Sequence, residues 1–119
     1  MDYVIMVNEG PYNHQASDSA YHFATHALDK GHSIRRIFFY YDGVLNGTKF
    51  SAPQSDDRNI VKRWAALAED HPVDLAICVA AGLRRGITDD SLADGFRITG
   101  LGEFIESCID AERTVVFGD

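Results

Sequence analysis

Apolar and polar positions along the chain fall into two alternating rhythms. Short runs in which nearly every residue is apolar are separated by longer stretches whose apolar positions return at roughly helical spacing. Tyr3 to Val7 is the first short run and predicts a strand. Ala16 to Lys30 follows as a helix, with Ala20, Phe23, Ala24, Ala27 and Leu28 on one face, Ser17 and Asp18 as start signals and Gly31 as a stop. Ile34 to Tyr40 is a second strand, apolar on both faces as buried parallel strands are. Asp57 to His71 is a second helix, turning Ile60, Val61, Trp64, Leu67 and Ala68 inward, with Asp56 and Asp57 at its positive end and Pro72 beyond its last turn. Leu75 to Val79, Leu101 to Ala111 and Thr114 to Phe117 read as strand, helix and strand. Strands separated by helices predict an α/β fold of three layers, a mainly parallel sheet flanked by helices on both faces. The chain has no internal repeat, and residues 1–119 are read as one domain.

The connections are unequal. Helix-to-strand links are short (Gly31–Ser33, Pro72–Asp74, Glu112–Arg113), while strand-to-helix links are long (Asn8–Gln15, Tyr41–Asp56, Ala80–Gly100). In a parallel sheet all strand-to-helix loops gather at the carboxyl edge, where ligands bind. Long loops in compact domains are often functional, so that edge is the working edge. Cys78 sits at it, next to the end of the third strand.

Charge narrows the choice of partner. Lys plus Arg number 11 against 18 Asp plus Glu, a net charge of −7. Such a surface repels nucleic-acid phosphates and anionic membranes, so no direct nucleic-acid or membrane partner is expected. The first ten residues carry no basic region or cleavage site and are not read as a signal peptide. The longest apolar stretch, Leu75 to Ala81, is too short to span a bilayer. With 2 cysteines there is no disulfide scaffold. A cytoplasmic protein with reduced thiols, acting on another protein or a small molecule, is the expectation.

Cys78 lies in Ile77-Cys78-Val79-Ala80-Ala81-Gly82-Leu83-Arg84-Arg85. Ala80, Ala81 and Gly82 leave room for another molecule near the sulfur. A helical turn starting near Ala81 would aim amide dipoles at it, and Arg84 and Arg85 add positive charge; both favour a thiolate. A stabilised thiolate both attacks a persulfide and leaves well, so one site can accept and release the same sulfur atom. The competing reading is a small buried core cysteine. Cys108 shares a helical stripe with Leu101, Phe104 and Ile105 and reads as core packing.

His22 and His26, with Asp18 a turn earlier, have metal-compatible spacing but fall on the polar face, and no further ligand cluster stands nearby; no metal is expected. His14, in the first long loop, is a candidate proton donor or substrate-orienting group, against the reading of a polar loop residue. Asp42 follows the second strand, but only Glu9 stands after the first, too little for a magnesium cluster. Asn8-Glu9-Gly10-Pro11 is neither a dinucleotide nor a phosphate loop, so no cofactor is expected.

Over nearly its whole length the chain resembles the DsrE/TusD sulfur-relay family. The resemblance lies in Asn8-Glu9-Gly10-Pro11-Tyr12, His14-Gln15-Ala16-Ser17, Phe38-Phe39-Tyr40, Asp42-Gly43-Val44, Ile77-Cys78-Val79-Ala80-Ala81 with Arg84-Arg85-Gly86, and Phe96-Arg97-Ile98-Thr99-Gly100-Leu101-Gly102. The opening and the ending Val115-Val116-Phe117-Gly118-Asp119 are closer to the DsrE branch. The resemblance implies a Rossmann-like fold and an active cysteine at Cys78. It also implies a cytoplasmic hetero-hexamer with DsrF/DsrH-like (TusC/TusB-like) subunits, exchanging sulfur with TusA-like and DsrC/TusE-like carriers. In DsrE-type systems the sulfur belongs to sulfur oxidation, in TusD-type systems to tRNA 2-thiouridine. Between Asp90 and Phe96 the chain has only Ser91 to Gly95, where the family carries a longer segment.

Three functions therefore compete: a sulfurtransferase subunit carrying persulfide on Cys78, a non-catalytic assembly subunit, and a flavodoxin-like binder using the same loops. An apolar assembly patch is expected from Tyr40, Tyr41, Val44, Leu45 and Phe50.

Overall fold

The computed structural model describes residues 1–118; Asp119, which closes the last of the family-like motifs, lies outside them. Its framework runs β1 (Asp2–Val7), α1 (Ala16–Asp29), β2 (Ser33–Phe39), a 3-10 helix (Tyr41–Gly47), α2 (Ile60–Asp70), β3 (Asp74–Cys78), a short α3 (Val79–Leu83), a 3-10 turn (Asp89–Ser91), β4 (Phe96–Thr99), α4 (Leu101–Asp110) and β5 (Arg113–Phe117). The 5 strands form one sheet in the order β4-β3-β2-β1-β5, and every pairing is parallel.

Topology decides which face each helix covers. The steps β1 to β2, β2 to β3 and β3 to β4 all move one way across the sheet, so right-handed crossovers put α1, α2 and α3 on one face. The return from β4 to β5 crosses the whole sheet the other way and puts α4 alone on the opposite face. Side chains agree. Phe39 stacks edge-on against Trp64 of α2, with ring centroids 5.3 Å apart, while its neighbour Phe38 meets Phe104 of α4 at 5.0 Å. Period-2 alternation then sorts each strand: Ile77 faces α2 and α3, whereas Asp74, Ala76 and Cys78 face α4.

A buried polar knot ties the second long loop to the helices. Asn46, fully buried, donates to Ser17 Oγ at 3.1 Å and to the Gly43 carbonyl at 2.9 Å, and accepts from Trp64 Nε1 at 3.0 Å. Gly43 must be glycine, since a Cβ there would collide with the Val7 carbonyl oxygen.

Several sequence expectations change. α2 begins at Ile60, because Asn59 caps it by accepting from the Lys62 amide at 3.1 Å; Asp57 lies outside the helix, its carboxylate accepting from the Arg58 amide. Ser17 is not a cap: it is buried and donates to the Glu9 carbonyl. The stretch from Ala80 to Gly100 is not one loop, because Phe96-Arg97-Ile98-Thr99 forms the edge strand β4. The expected apolar patch divides: Val44 is fully buried in the core, while Tyr41 and Phe50 are exposed. On α4, Leu101 and Ile105 are exposed and Cys108 is half-buried, because one helix spanning a 5-stranded face presses only Phe104 and Ser107 onto it.

Candidate functional site

Cys78 is the last residue of β3, extended at φ −69° and ψ 126°, and Val79 opens α3 directly after it. It stands opposite Thr99 of β4 in register. On its other side β2 ends with Phe39 opposite Ile77, so Tyr40 comes next beside Cys78. Tyr40 shares the α4 face, its ring 6.0 Å from that of Phe38. Arg97, two residues before Thr99, reaches Asp74 of β3 on this same face, which puts the Thr99 side chain there too. Cys78 and Thr99 therefore emerge side by side at the carboxyl edge, on the face that carries α4.

Both are enclosed, Cys78 at 3% exposure and Thr99 at 6%. Around them the ends of three adjacent strands carry exposed apolar side chains: Tyr41 after β2, Val79 and Leu83 after β3, Leu101 after β4. The arrangement is a buried thiol under an apolar rim. Cys78 and Cys108 are both free thiols.

The other expected site residues scatter. Arg85 turns back to Asp42, with Nε donating to Oδ1 at 2.7 Å, and also donates to the Ala81 carbonyl. Its charge is thus matched by a carboxylate. Arg84 is exposed at the C-cap of α3. His14 pairs with Glu9 at 3.2 Å and lines an open cleft with Tyr12, Asp18, His22, Arg58 and Arg63 on the α1–α2 side. Cys78 faces the other side of the sheet and is not among the residues of that cleft. Ala81 and Gly82 do not leave room by the sulfur. Ala81 is buried, and a Cβ on Gly82 would meet the Ile87 carbonyl at 3.3 Å; Ala80 alone of the three is exposed. Helix α3 is too short to provide a substantial dipole.

His22 and His26 are exposed, as a solvated face requires, whereas the Asp18 side chain is largely enclosed by arginines. His26 Nδ1 lies 2.7 Å from the His22 carbonyl, and Asp18 takes two bonds from Arg58 and one from Arg63. The Arg58 hydrogen bonds hold the Asp18 carboxyl below its ordinary range. Among the described residues no cluster of three or more His, Cys, Asp or Glu could hold a metal.

At the opposite end of β3 the polar groups are saturated. Asp74 accepts from Arg36 of β2 at 2.7 Å and from Arg97 of β4 at 2.7 and 2.8 Å. Arg36 continues into α4, donating to the Glu103 carbonyl and to Ser107 Oγ, and Arg97 reaches Glu103 at 3.1 Å. Burial alone would raise the Asp74 carboxyl, but Arg97 and Arg36 outweigh it and hold it below its ordinary value.

Sequence reasoning missed Thr99 as a neighbour of the thiol. The available signal was the apolar-polar alternation of Phe96 to Thr99 between Gly95 and Gly100. At 4 residues it was short enough to pass for loop.

A nucleotide in such a sheet would lie where the strand order reverses, between the carboxyl ends of β1 and β5. Here that place is filled by the chain. The Asn8 amide donates to the Phe117 carbonyl at 3.0 Å, and a Cβ on Gly118 would stand 2.9 Å from that of Asn8.

Comparison with known proteins agrees with this fold. The model of the DsrE/DsrF-like family matches residues 1–117. DsrE of Allochromatium vinosum is 53% identical over 130 positions covering 100% of both chains. A sulfurtransferase TusD homolog of Vibrio parahaemolyticus is 41% identical, covering 98% of each. The crystal structure of the ychN protein from E. coli superimposes with a TM-score of 0.85 over 98% of this chain and 100% of its own, at 22% identity, a likeness of fold. The DsrE alignment spans 130 positions against 119 residues, so at least 130 − 119 = 11 positions of that relative have no counterpart here.

Proposed function

This chain belongs to the DsrE/DsrF-like family and is a sulfurtransferase of the sulfur-relay type; from that premise we propose that Cys78 is the residue that carries the sulfur. The observation that supports it is placement. Cys78 ends β3 at the carboxyl edge, in the stretch that resembles the family's active motif, and lies under a rim of exposed apolar side chains. Cys108, the only other thiol, lies part-way along α4.

The chemistry needs no cofactor. The Cys78 thiolate attacks the outer sulfur of a donor persulfide, R–S–SH. A bond forms between Sγ and that sulfur, the donor's S–S bond breaks, and R–S⁻ leaves with the electron pair. Release is the same exchange reversed. A partner thiolate attacks the outer sulfur of the Cys78 persulfide, takes it, and returns the pair to Sγ. Because the thiol is buried, the rim formed by Tyr41, Val79, Leu83 and Leu101 has to yield when a partner docks. The relay is intermolecular, since Cys108 lies two turns beyond Leu101, about 10 Å further along α4.

The finer reading follows the DsrE branch. The partners are DsrF/DsrH-like subunits in a cytoplasmic hetero-hexamer, with TusA-like and DsrC/TusE-like carriers delivering and receiving sulfur. An exposed apolar row on α4 (Leu101, Ile105, Ile109), with Val116 exposed on β5, supports such neighbours. A TusD-type role in tRNA thiolation keeps the same Cys78 chemistry. A flavodoxin-like binder is disfavoured by the filled crevice at Asn8 and Gly118.

The test is intact mass after incubation with a low-molecular-weight persulfide. The expected result is a gain of one sulfur that is abolished by Cys78→Ser and retained by Cys108→Ser. Loading that survives Cys78→Ser overturns the assignment.

A further inference from the structure

Among the described residues two enclosed side-chain polar atoms lack a hydrogen-bond partner, Asn8 Oδ1 and Thr99 Oγ1. Thr99 is the more enclosed residue, at 6% exposure, and it is the strand partner of Cys78. Leaving a buried hydroxyl unpaired costs stability, and such exceptions in native proteins call for a reason. Packing is not the reason, since valine has nearly the same shape and would carry no such cost.

The reacting sulfur supplies one. A neutral thiol is a weak acceptor, so a hydroxyl beside it in the resting protein has little to donate to. A thiolate is an anion, and hydrogen bonds to ionised acceptors are roughly twice as strong as neutral ones. Cys78 and Thr99 project from adjacent strands on one face, and neighbouring strands lie about 4.8 Å apart, close enough for the hydroxyl to turn to the sulfur.

We propose that Thr99 is a catalytic hydrogen-bond donor, its Oγ1–H bonding to Cys78 Sγ whenever that sulfur carries negative charge. The proposal rests on the reading of Cys78 as the sulfur carrier. The charge is on Sγ at two moments: before the thiolate attacks the donor persulfide, and after a partner thiolate has removed the outer sulfur and the electron pair has returned. In both, the hydroxyl has only to turn about its own side-chain bonds, because the backbone pairing of Thr99 with Cys78 already holds it on the strand beside the sulfur. It keeps its own proton throughout; no bond to Thr99 forms or breaks.

The experiment compares the wild type, Thr99→Val, Thr99→Ser and Cys78→Ser by the rate of sulfur loading from a low-molecular-weight persulfide, the rate of release to a small thiol, and the melting temperature. Thr99→Val is expected to slow both rates by about tenfold, the worth of one hydrogen bond to a charged group, while its melting temperature holds or rises. Thr99→Ser, which returns the hydroxyl, recovers most of the rate. Wild-type rates in Thr99→Val overturn the proposal. So does a Thr99→Ser protein as slow as Thr99→Val, because shape would then be the cause. A clear fall in the melting temperature of Thr99→Val also overturns it, by showing that the hydroxyl has a partner in the resting fold. Failure of the Cys78 reading shows separately, as wild type that does not load or Cys78→Ser that does.

Discussion

Asp74 and Cys78 stand at opposite ends of β3 and on the same face of the sheet, and their surroundings are built in opposite ways. At the amino end Asp74 is gripped by Arg36 from one neighbouring strand and Arg97 from the other, and both arginines run on into α4. At the carboxyl end Cys78 has Tyr40 on one side and, on the other, a Thr99 hydroxyl with no partner among the described residues. One end spends its polar groups on holding β2, β3, β4 and α4 in register; the other keeps a polar group unspent. The difference teaches how a small parallel sheet tolerates a poised site. Strain or unsatisfied polarity persists at a functional position when the surrounding structure over-determines it, and here the over-determination sits at the far end of the same strands.

The sharpest way to break this contrast is to exchange the two losses. Cys78→Ser is expected to abolish sulfur loading by intact mass while leaving the protein folded, at the modest cost of placing a hydroxyl at a position only 3% exposed. Asp74→Asn is expected to do the reverse, loading normally per folded molecule while losing about 1–2 kcal/mol of stability, between the values for exposed and for buried pairs, since the Asp74 side chain is 27% exposed. A normal melt for Asp74→Asn would mean the amino end is not the fastening argued here.

A milder probe is acid. The Asp74 carboxyl is depressed in the folded state, so its contribution is fully present above the unfolded value. That contribution is lost as pH falls through the lower folded one. The melting temperature should therefore drop steeply below about pH 4. Asp18, depressed chiefly by its hydrogen bonds to Arg58, adds to the same limb. The drop should be shallower in Asp74→Asn than in wild type, and equal slopes would remove Asp74 from the account.

The smallest effects are expected from the residues singled out by charge and spacing alone. Arg85→Ala breaks a pair whose Asp42 side chain is 60% exposed, and pairs of that kind contribute little. Its loading rate should stay within about threefold of wild type. Cys108→Ser should load normally and change stability by about 0.5 kcal/mol or less, because Cys108 is half-buried rather than core. A large loss of loading in Arg85→Ala would return that arginine to the site.

Much of the architecture was legible in order of residues alone. The apolar runs at Val4–Val7 and Ile37–Phe39 mark strand segments buried on both faces, and the helical period of Ala20, Ala24 and Ala27 marks a buried helix face, because local burial patterns repeat with the geometry of the element. The inequality of the loops likewise located the carboxyl edge, and with it Cys78. What the chain's linear order could not reveal is whatever depends on which strands become neighbours. The order β4-β3-β2-β1-β5 puts Thr99 beside Cys78, although the two are separated in sequence by α3, a turn and a strand that reads as loop. It sends His14 to the opposite face and Arg85 to Asp42. It also leaves one helix to cover a whole face, so that Leu101 and Ile105, apolar at core spacing, are exposed. Periodicity reports that a residue is apolar and which side of its own element it occupies; only the packed sheet determines whether anything lies opposite.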